Sequence, residues 1–148
     1  MKIGDRDFEI GKRTYLMGIL NVTPDSFSDS GKYYEIESAV KRAREMVEQG
    51  ADIIDIGGES TRPSCTAVSE TEELNRVIPI IRAIKATMNI PISIDTYKSS
   101  VAEAALLNGA SMVNDIWGFK YDNNMAKIVA KYNVPCCLNH NSNLVLSQ

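Results

Sequence analysis

Polar side chains that could bind a charged or heterocyclic ligand follow five short apolar runs in this sequence. The polar groups begin at Asn21, Gly57, Asp95, Asn114 and Asn139. Asp95 and Asn114 together offer carboxylate acceptors and carboxamide donors. This combination can recognise a flat heterocycle that carries an amino group, ring nitrogens and a carbonyl. For Asp95 alone, capping of the helix that follows explains its position equally well.

The stretch from Asn21 to Asp29 lies between an apolar run and a predicted helix. Pro24 fixes one backbone angle and biases Thr23 away from helix, which leaves Asn21 at the mouth of a strand. A hard cation such as Mg2+ keeps several waters and is often held by few protein ligands beside substrate phosphates. Asn21 could be such a ligand. An ordinary turn is the alternative, because Asn, Asp, Ser and Pro all favour turns.

Thr61 and Arg62 follow the second apolar run in a loop rich in Gly, Ser and Thr. The planar guanidinium of Arg62 could bind an anion through paired hydrogen bonds. A surface loop without a ligand is an equally good interpretation of these two residues. His140 is the only histidine in the chain, and a hydrogen-bonded structural role is favoured over catalysis for it.

The alternation of apolar runs with helical patterns predicts an α/β fold. The predicted strands are 15–20, 53–56, 91–95, 111–115 and 134–138. The predicted helices begin near Ile36, after Ser69, after Ser100 and at Met125. Strands that alternate with helices form parallel sheets, either open and doubly wound or closed as a (β/α)8 barrel. Polar groups after every strand favour the shared mouth of a barrel, and no Gly-x-Gly-x-x-Gly or Walker loop is present.

Several local signals predict how these elements begin and end. Residues 1–13 predict a short hairpin with a strand at Phe8–Ile10. Ser69 with Glu72, and Ser100 with Glu103, match the capping-box pattern at a helix start. Pro79 lies inside the second helical pattern and predicts a kink or a locally broken hydrogen-bond ladder. Asp115 is expected to cap or pair within its own loop.

Composition excludes several classes of protein. The net charge of −3 gives no basic surface for nucleic acid. No apolar run is long enough to cross a bilayer, and the N-terminus is too charged for a signal peptide. The three cysteines, Cys65, Cys136 and Cys137, predict neither a disulfide framework nor a zinc site. Reduced thiols in a cytoplasmic protein are the simplest interpretation.

Four motifs, in order, resemble those of the dihydropteroate synthase family. The motifs are 17–29 (MGILNVTPDSFSD), 55–63 (DIGGESTRP), 91–96 (PISIDT) and 113–116 (VNDI). The resemblance covers residues 1 to about 141. It implies a (β/α)8 barrel that joins a dihydropterin-methyl diphosphate to p-aminobenzoate and releases diphosphate, in folate biosynthesis.

The resemblance also implies a role for individual residues. Asn21 would be the ligand of Mg2+, with the metal on the diphosphate. Asp95 and Asn114 would hydrogen-bond the pterin ring, and Ile116 would pack against it. Thr61 would contact the diphosphate side. Together with Thr61, the residues Phe27, Arg62 and Pro63 would belong to two loops that wrap p-aminobenzoate and diphosphate.

The chain also departs from the family pattern. A barrel of this kind needs about 250 residues, whereas this chain has 148 and only five predicted strands. The prediction is one truncated pterin-binding domain, 1–148, with a hairpin at 1–13, barrel units at 14–141 and an atypical tail at 142–148. Open edges at the first and fifth strands invite aggregation or pairing, and the partner could be a second copy, as a homo-oligomer, or another polypeptide.

The missing strands predict that the chain alone has little or no synthase activity. Two alternatives stay open at this point. One is a pterin-binding fragment without catalysis, and the other is a pterin-dependent methyltransferase built on the same barrel. The stretch from Asn21 to Asp29 favours the synthase, because a methyl transfer does not need a site that binds a metal ion and a diphosphate.

Overall fold

The computed structural model describes residues 1–23, 31–60 and 67–140. It contains a two-stranded hairpin followed by alternating strands and helices. The strands are β1 (Lys2–Ile3), β2 (Arg6–Asp7), β3 (Met17–Asn21), β4 (Ile53–Gly57), β5 (Ile92–Asp95), β6 (Met112–Asp115) and β7 (Cys136–Leu138). The helices are α1 (Gly31–Glu48), α2 (Glu70–Thr87), α3 (Ser99–Leu107) and α4 (Met125–Tyr132). The predicted five core strands and four helices are confirmed, although α1 begins at Gly31 and not near Ile36 as predicted.

The five core strands form one parallel sheet in the order β3-β4-β5-β6-β7. Each strand pairs with the next along the chain, so the order has no reversal. A doubly wound sheet reverses its strand order at a switch point, whereas a (β/α)8 barrel adds strands in sequence around its axis. The sheet is therefore an arc of a barrel, as predicted.

One face of this sheet is buried beneath the helices. The strand residues that pack there are Leu20, Ile54, Ile56, Ile92, Ile94 and Val113. They meet apolar residues of the helices, including Ala43, Val77, Ile81, Ile84 and Val101. Because side chains alternate between the two faces of a strand, the residues between them point the other way. That second face is the interior of the barrel, and it carries the polar groups.

The N-terminal hairpin packs against the beginnings of the core strands. Ile3 and Phe8 form a small buried cluster with Ile53 and Met112, the first residues of β4 and β6. The predicted strand at Phe8–Ile10 is wrong, because the hairpin turns at Gly4 (φ +62°) and β2 ends at Asp7. Phe8 directs its side chain into the cluster instead of extending the ladder.

Two predicted helix starts have different outcomes. Ser69 caps α2 as expected, and its hydroxyl accepts a hydrogen bond from the Glu72 amide at 3.2 Å. The predicted cap at Ser100 is wrong, because α3 already begins at Ser99. The carboxylate of Asp122, from the loop before α4, accepts from the Ser99 amide at 2.8 Å and satisfies that end.

Pro79 lies inside α2, as its position in the helical pattern predicted. None of the helices formed by the described residues combines the length and the apolar character needed to span a membrane.

Candidate functional site

The polar groups at the strand ends form one row across the sheet. Strand register places Asn21 beside Gly57, Gly57 beside Asp95, and Asp95 beside Asn114. Residues paired in register point to the same face of a parallel sheet. The three predicted ligand-binding residues of this row thus share the interior face at the carboxyl ends of the strands, where barrel enzymes place their active sites.

Asp95 is the half-buried carboxyl group of this row. Burial raises its pKa to about 7, and the nearby carboxylates of Asp55, Glu73, Asp115 and Glu59 add to the rise. Asp95 does not cap α3, and its side chain makes no hydrogen bond to the described residues. A buried polar group without a partner is costly. Asp95 is therefore available to a ligand rather than committed to the fold.

Gly57 provides the room that Asp95 occupies. A Cβ atom at position 57 would lie 3.3 Å from Oδ2 and 3.4 Å from Cβ of Asp95. A side chain there would crowd the Asp95 carboxyl group, which would have to shift by a few tenths of an ångström. The absence of a side chain between Asn21 and Asp95 thus opens the middle of the site.

The Asn114 side chain forms a hydrogen bond with Asp55, which lies deeper in the barrel interior than the row at the strand ends. Its Nδ2 donates to Oδ2 of Asp55 at 3.1 Å. Asp55 lies in the middle of β4 and is 2% exposed. Its role was missed by the sequence analysis. The available signal was a charged residue that interrupts an otherwise apolar strand of isoleucines.

A cleft of about 230 Å³ opens beside Asp95. Ile116 and Trp117, from the loop after β6, line it together with Tyr97 and Tyr121, whose rings meet edge to face at 4.3 Å between centroids. Ile116 was predicted to pack against a ring, and the structure places it next to Asp95 in this cleft. An aromatic and apolar wall beside hydrogen-bonding groups suits a flat heterocycle.

Asp115 has the loop role that was predicted for it. Its two carboxylate oxygens accept from the backbone amides of Trp117 at 2.9 Å and Phe119 at 3.0 Å. These bonds fix the loop that carries Ile116.

A buried ion-pair network joins the exits of β4 and β5. The Lys98 ammonium group donates to Glu59 at 2.8 Å and to Glu73 at 3.0 Å. The Tyr97 hydroxyl also donates to Glu59, and the Thr96 hydroxyl donates to Glu73 at 2.6 Å. The network fixes the chain just before residue 61, where the predicted anion-binding loop begins.

Comparison with known proteins agrees with this geometry. Residues 17–145 match the model of a family described as pterin-binding enzymes. The chain belongs to the pterin-binding enzyme family. The matched range contains the whole core sheet, from the first residue of β3 to beyond β7. The barrel arc and the row of strand-end residues therefore lie within the part of the chain that matches this family.

Proteins similar to this family member include dihydropteroate synthases. This chain is 65% identical to the enzyme of Clostridium beijerinckii over 141 residues. These aligned residues cover 95% of this chain and 52% of the Clostridium beijerinckii protein. This chain superposes on the Clostridium difficile enzyme, solved in the presence of pteroic acid, with a TM-score of 0.88 and 57% sequence identity. This match covers 93% of this chain and 52% of the Clostridium difficile chain. This chain superposes on the Xanthomonas albilineans enzyme with 4-aminobenzoic acid with a TM-score of 0.82 and 46% sequence identity. That match covers 89% of this chain and 48% of the Xanthomonas albilineans chain. The chain thus spans about half the length of these relatives.

Four of the predicted site residues lie outside the described part of this family member. They are Phe27, Thr61, Arg62 and Pro63. The strand-end residues Asn21, Asp95, Asn114 and Ile116 are all described.

The metal predicted at Asn21 can be tested against the donors that are present. Asn21 is exposed at the end of β3. The described residues contain no cluster of three or more His, Cys, Asp or Glu side chains that could hold a metal ion. A single neutral carbonyl oxygen fits Mg2+ that arrives with a phosphate and keeps its waters. It does not fit a metal held by a full set of protein ligands.

The raised pKa of Asp95 predicts a pH-dependent stability difference between the wild type and Asp95→Asn. The folded state binds this proton up to a pH of about 7, whereas the ordinary pKa of an aspartate side chain is 3.8. Stability is therefore greatest below the lower value and is lost as the pH rises through 7. At pH 8 the variant should exceed the wild type by about 1–2 kcal/mol in unfolding free energy, and at pH 4 the difference should vanish. Urea unfolding at both pH values measures this, and a constant difference would contradict it.

Proposed function

We propose that this chain carries part of the active site of a dihydropteroate synthase. The reaction joins a dihydropterin-methyl diphosphate to p-aminobenzoate, with release of diphosphate, in folate biosynthesis. The observation that carries the proposal is the single row formed by Asn21, Asp95 and Asn114 at the carboxyl ends of paired strands. The 65% identity to a dihydropteroate synthase supports the same assignment.

The pterin ring is bound by the Asp95 and Asn114 side chains and packs against Ile116. Asp95 has no hydrogen-bond partner among the described residues, so a ligand N–H can take its carboxyl oxygens. Hydrogen bonds to a charged acceptor are stronger than neutral ones. The cleft beside Asp95 supplies the apolar wall that a flat ring requires.

The diphosphate lies toward Asn21, at the other end of the row. Asn21 would hold Mg2+ brought by the diphosphate, and this ion would stabilise negative charge on the leaving group. Thr61 and Arg62 lie a few residues beyond Gly57, which pairs with Asn21. We assign them to the diphosphate side, and Phe27 and Pro63 to the segments that exclude water around p-aminobenzoate.

The chain without other strands should turn over slowly or not at all. The described sheet has five strands, and Ile19 on its interior face is 61% exposed. The pterin is therefore held from one side only, and the loss of one electrostatic stabiliser typically costs about 10²–10³ in rate. We expect weak pterin binding without measurable synthesis.

An assay of the purified chain with dihydropterin-methyl diphosphate, p-aminobenzoate and Mg2+ tests this expectation. Dihydropteroate formation should stay at least about 1000-fold below that of a complete dihydropteroate synthase assayed in parallel. A normal Mg2+-dependent rate would show that five strands suffice, and would refute the expectation of inactivity.

A further inference from the structure

We propose that Asp55 is a positioning residue that fixes the orientation of the Asn114 carboxamide in the pterin site. The inference rests on the proposed pterin site. It adds Asp55, which lies deeper in the barrel interior than the row at the strand ends. Asp55 acts through Asn114 and does not itself need to touch the ligand.

The geometry of the pair determines which way the Asn114 side chain faces. Asp55 Oδ2 accepts a hydrogen bond from Asn114 Nδ2 at 3.1 Å. A carboxylate can only accept, so it selects the amide nitrogen of Asn114 over its carbonyl oxygen. The Oδ1 atom of Asn114 is buried and has no partner among the described residues. Asp55 thus gives the Asn114 carboxamide one defined orientation and leaves its oxygen unsatisfied in the ligand-free protein.

The stability of the fold does not account for a carboxyl group at position 55. The side chain is 2% exposed, and its Oδ1 atom has no partner within the described ranges. Burial raises the pKa of Asp55, which means that the charged form is costly here, whereas the hydrogen bond from the Asn114 amide lowers it. An apolar residue in the same space would remove this cost. The contribution of Asp55 lies in the orientation of its neighbour.

The orientation has a consequence for ligand choice. Asn114 and Asp95 are paired in register, so the Asn114 carbonyl oxygen and the Asp95 carboxyl group belong to the same stretch of the row. Two neighbouring acceptors match a heterocycle edge that presents N–H donors, such as an amino group beside a protonated ring nitrogen. A reversed Asn114 would present its amide to the same edge and place donor against donor. Asp55 therefore determines whether Asn114 presents an acceptor or a donor to the ligand.

Asp55→Leu is the informative variant because it keeps the branched shape of the side chain and removes the acceptor. The control is Ser93→Ala, which changes the residue paired with Asp55 on β5 and touches no bond to Asn114. Both variants should remain folded by circular dichroism. In ligand-free protein labelled with ¹⁵N, the Asn114 side-chain amide signals should lose their protection from exchange in Asp55→Leu and keep it in Ser93→Ala. Unchanged Asn114 signals in Asp55→Leu would overturn the proposal.

A double-mutant cycle separates positioning from a general structural effect. Asp55→Leu should weaken binding of 7,8-dihydropterin at least about tenfold in the wild-type background and less than about twofold in the Asn114→Ala background, because the effect passes through Asn114. Equal losses in both backgrounds would overturn the proposal. Absence of pterin binding by the wild type would instead refute the proposed function, and the ligand-free amide signals would still decide the role of Asp55.

Discussion

Replacing Asp95 with alanine is expected to weaken binding of dihydropterin-methyl diphosphate to this chain at least about 100-fold. Two ligand N–H groups would lose a charged acceptor, and each such bond contributes about 1.5–3 kcal/mol. A loss of about 3 kcal/mol corresponds to about a hundredfold change in Kd. Isothermal titration calorimetry of the wild type and the variant measures the difference.

The fold should survive the Asp95→Ala change, so lost binding cannot be attributed to unfolding. The raised pKa of Asp95 reflects a charge that is unfavourable in the folded state, and its removal does not destabilise the protein. The matched control is Glu103→Ala, which removes an acidic side chain on α3 away from the row. An Asp95→Ala affinity within threefold of the wild type would remove Asp95 from the pterin site.

Replacing Lys98 with alanine is expected to lower the free energy of unfolding by about 3 kcal/mol. The Lys98 ammonium group is the cation between Glu59 and Glu73, and the Glu73 side chain is almost fully buried. Removal of one partner from a buried ion pair leaves a charge without compensation and typically costs about 3–5 kcal/mol. The lower end applies because Glu73 keeps the Thr96 hydroxyl and the Lys98 side chain is 15% exposed. Urea unfolding measures the change.

Lys131→Ala is the matched control for Lys98→Ala. Lys131 also pairs with a glutamate, Glu103, at 2.9 Å, but its side chain is 62% exposed. Exposed ion pairs contribute at most about 1 kcal/mol. If the two lysine variants lost the same stability, the network at the β4 and β5 exits would be no stronger than a surface pair.

The order of elements and the strand-end row could be predicted from the sequence because both depend on local patterns. Apolar runs of four to six residues identify strands, and the residue after each run lies at the same edge of a parallel sheet. Asp95 and Asn114 could be placed side by side on this basis, and the register confirms that they pair. The assignment of ligands to these residues stays a prediction.

Contacts between residues far apart in the chain could not be predicted in the same way. Asp55 and Asn114 are 59 residues apart, and no local pattern links them. The α3 start illustrates the same limit, because Ser100 matched a capping box while Asp122, 23 residues beyond Ser99, supplied the bond. A capping pattern states only that an acceptor is needed, and tertiary structure decides which residue provides it.

A calorimetric titration of the wild-type chain with dihydropterin-methyl diphosphate and Mg2+ tests whether the row at the strand ends binds a pterin. We predict one binding site of micromolar to millimolar Kd, with affinity that falls as the pH drops below 7, because the ligand N–H groups require the ionised Asp95 carboxylate. The absence of saturable binding, or an affinity that does not change between pH 5.5 and pH 8, would contradict the assignment.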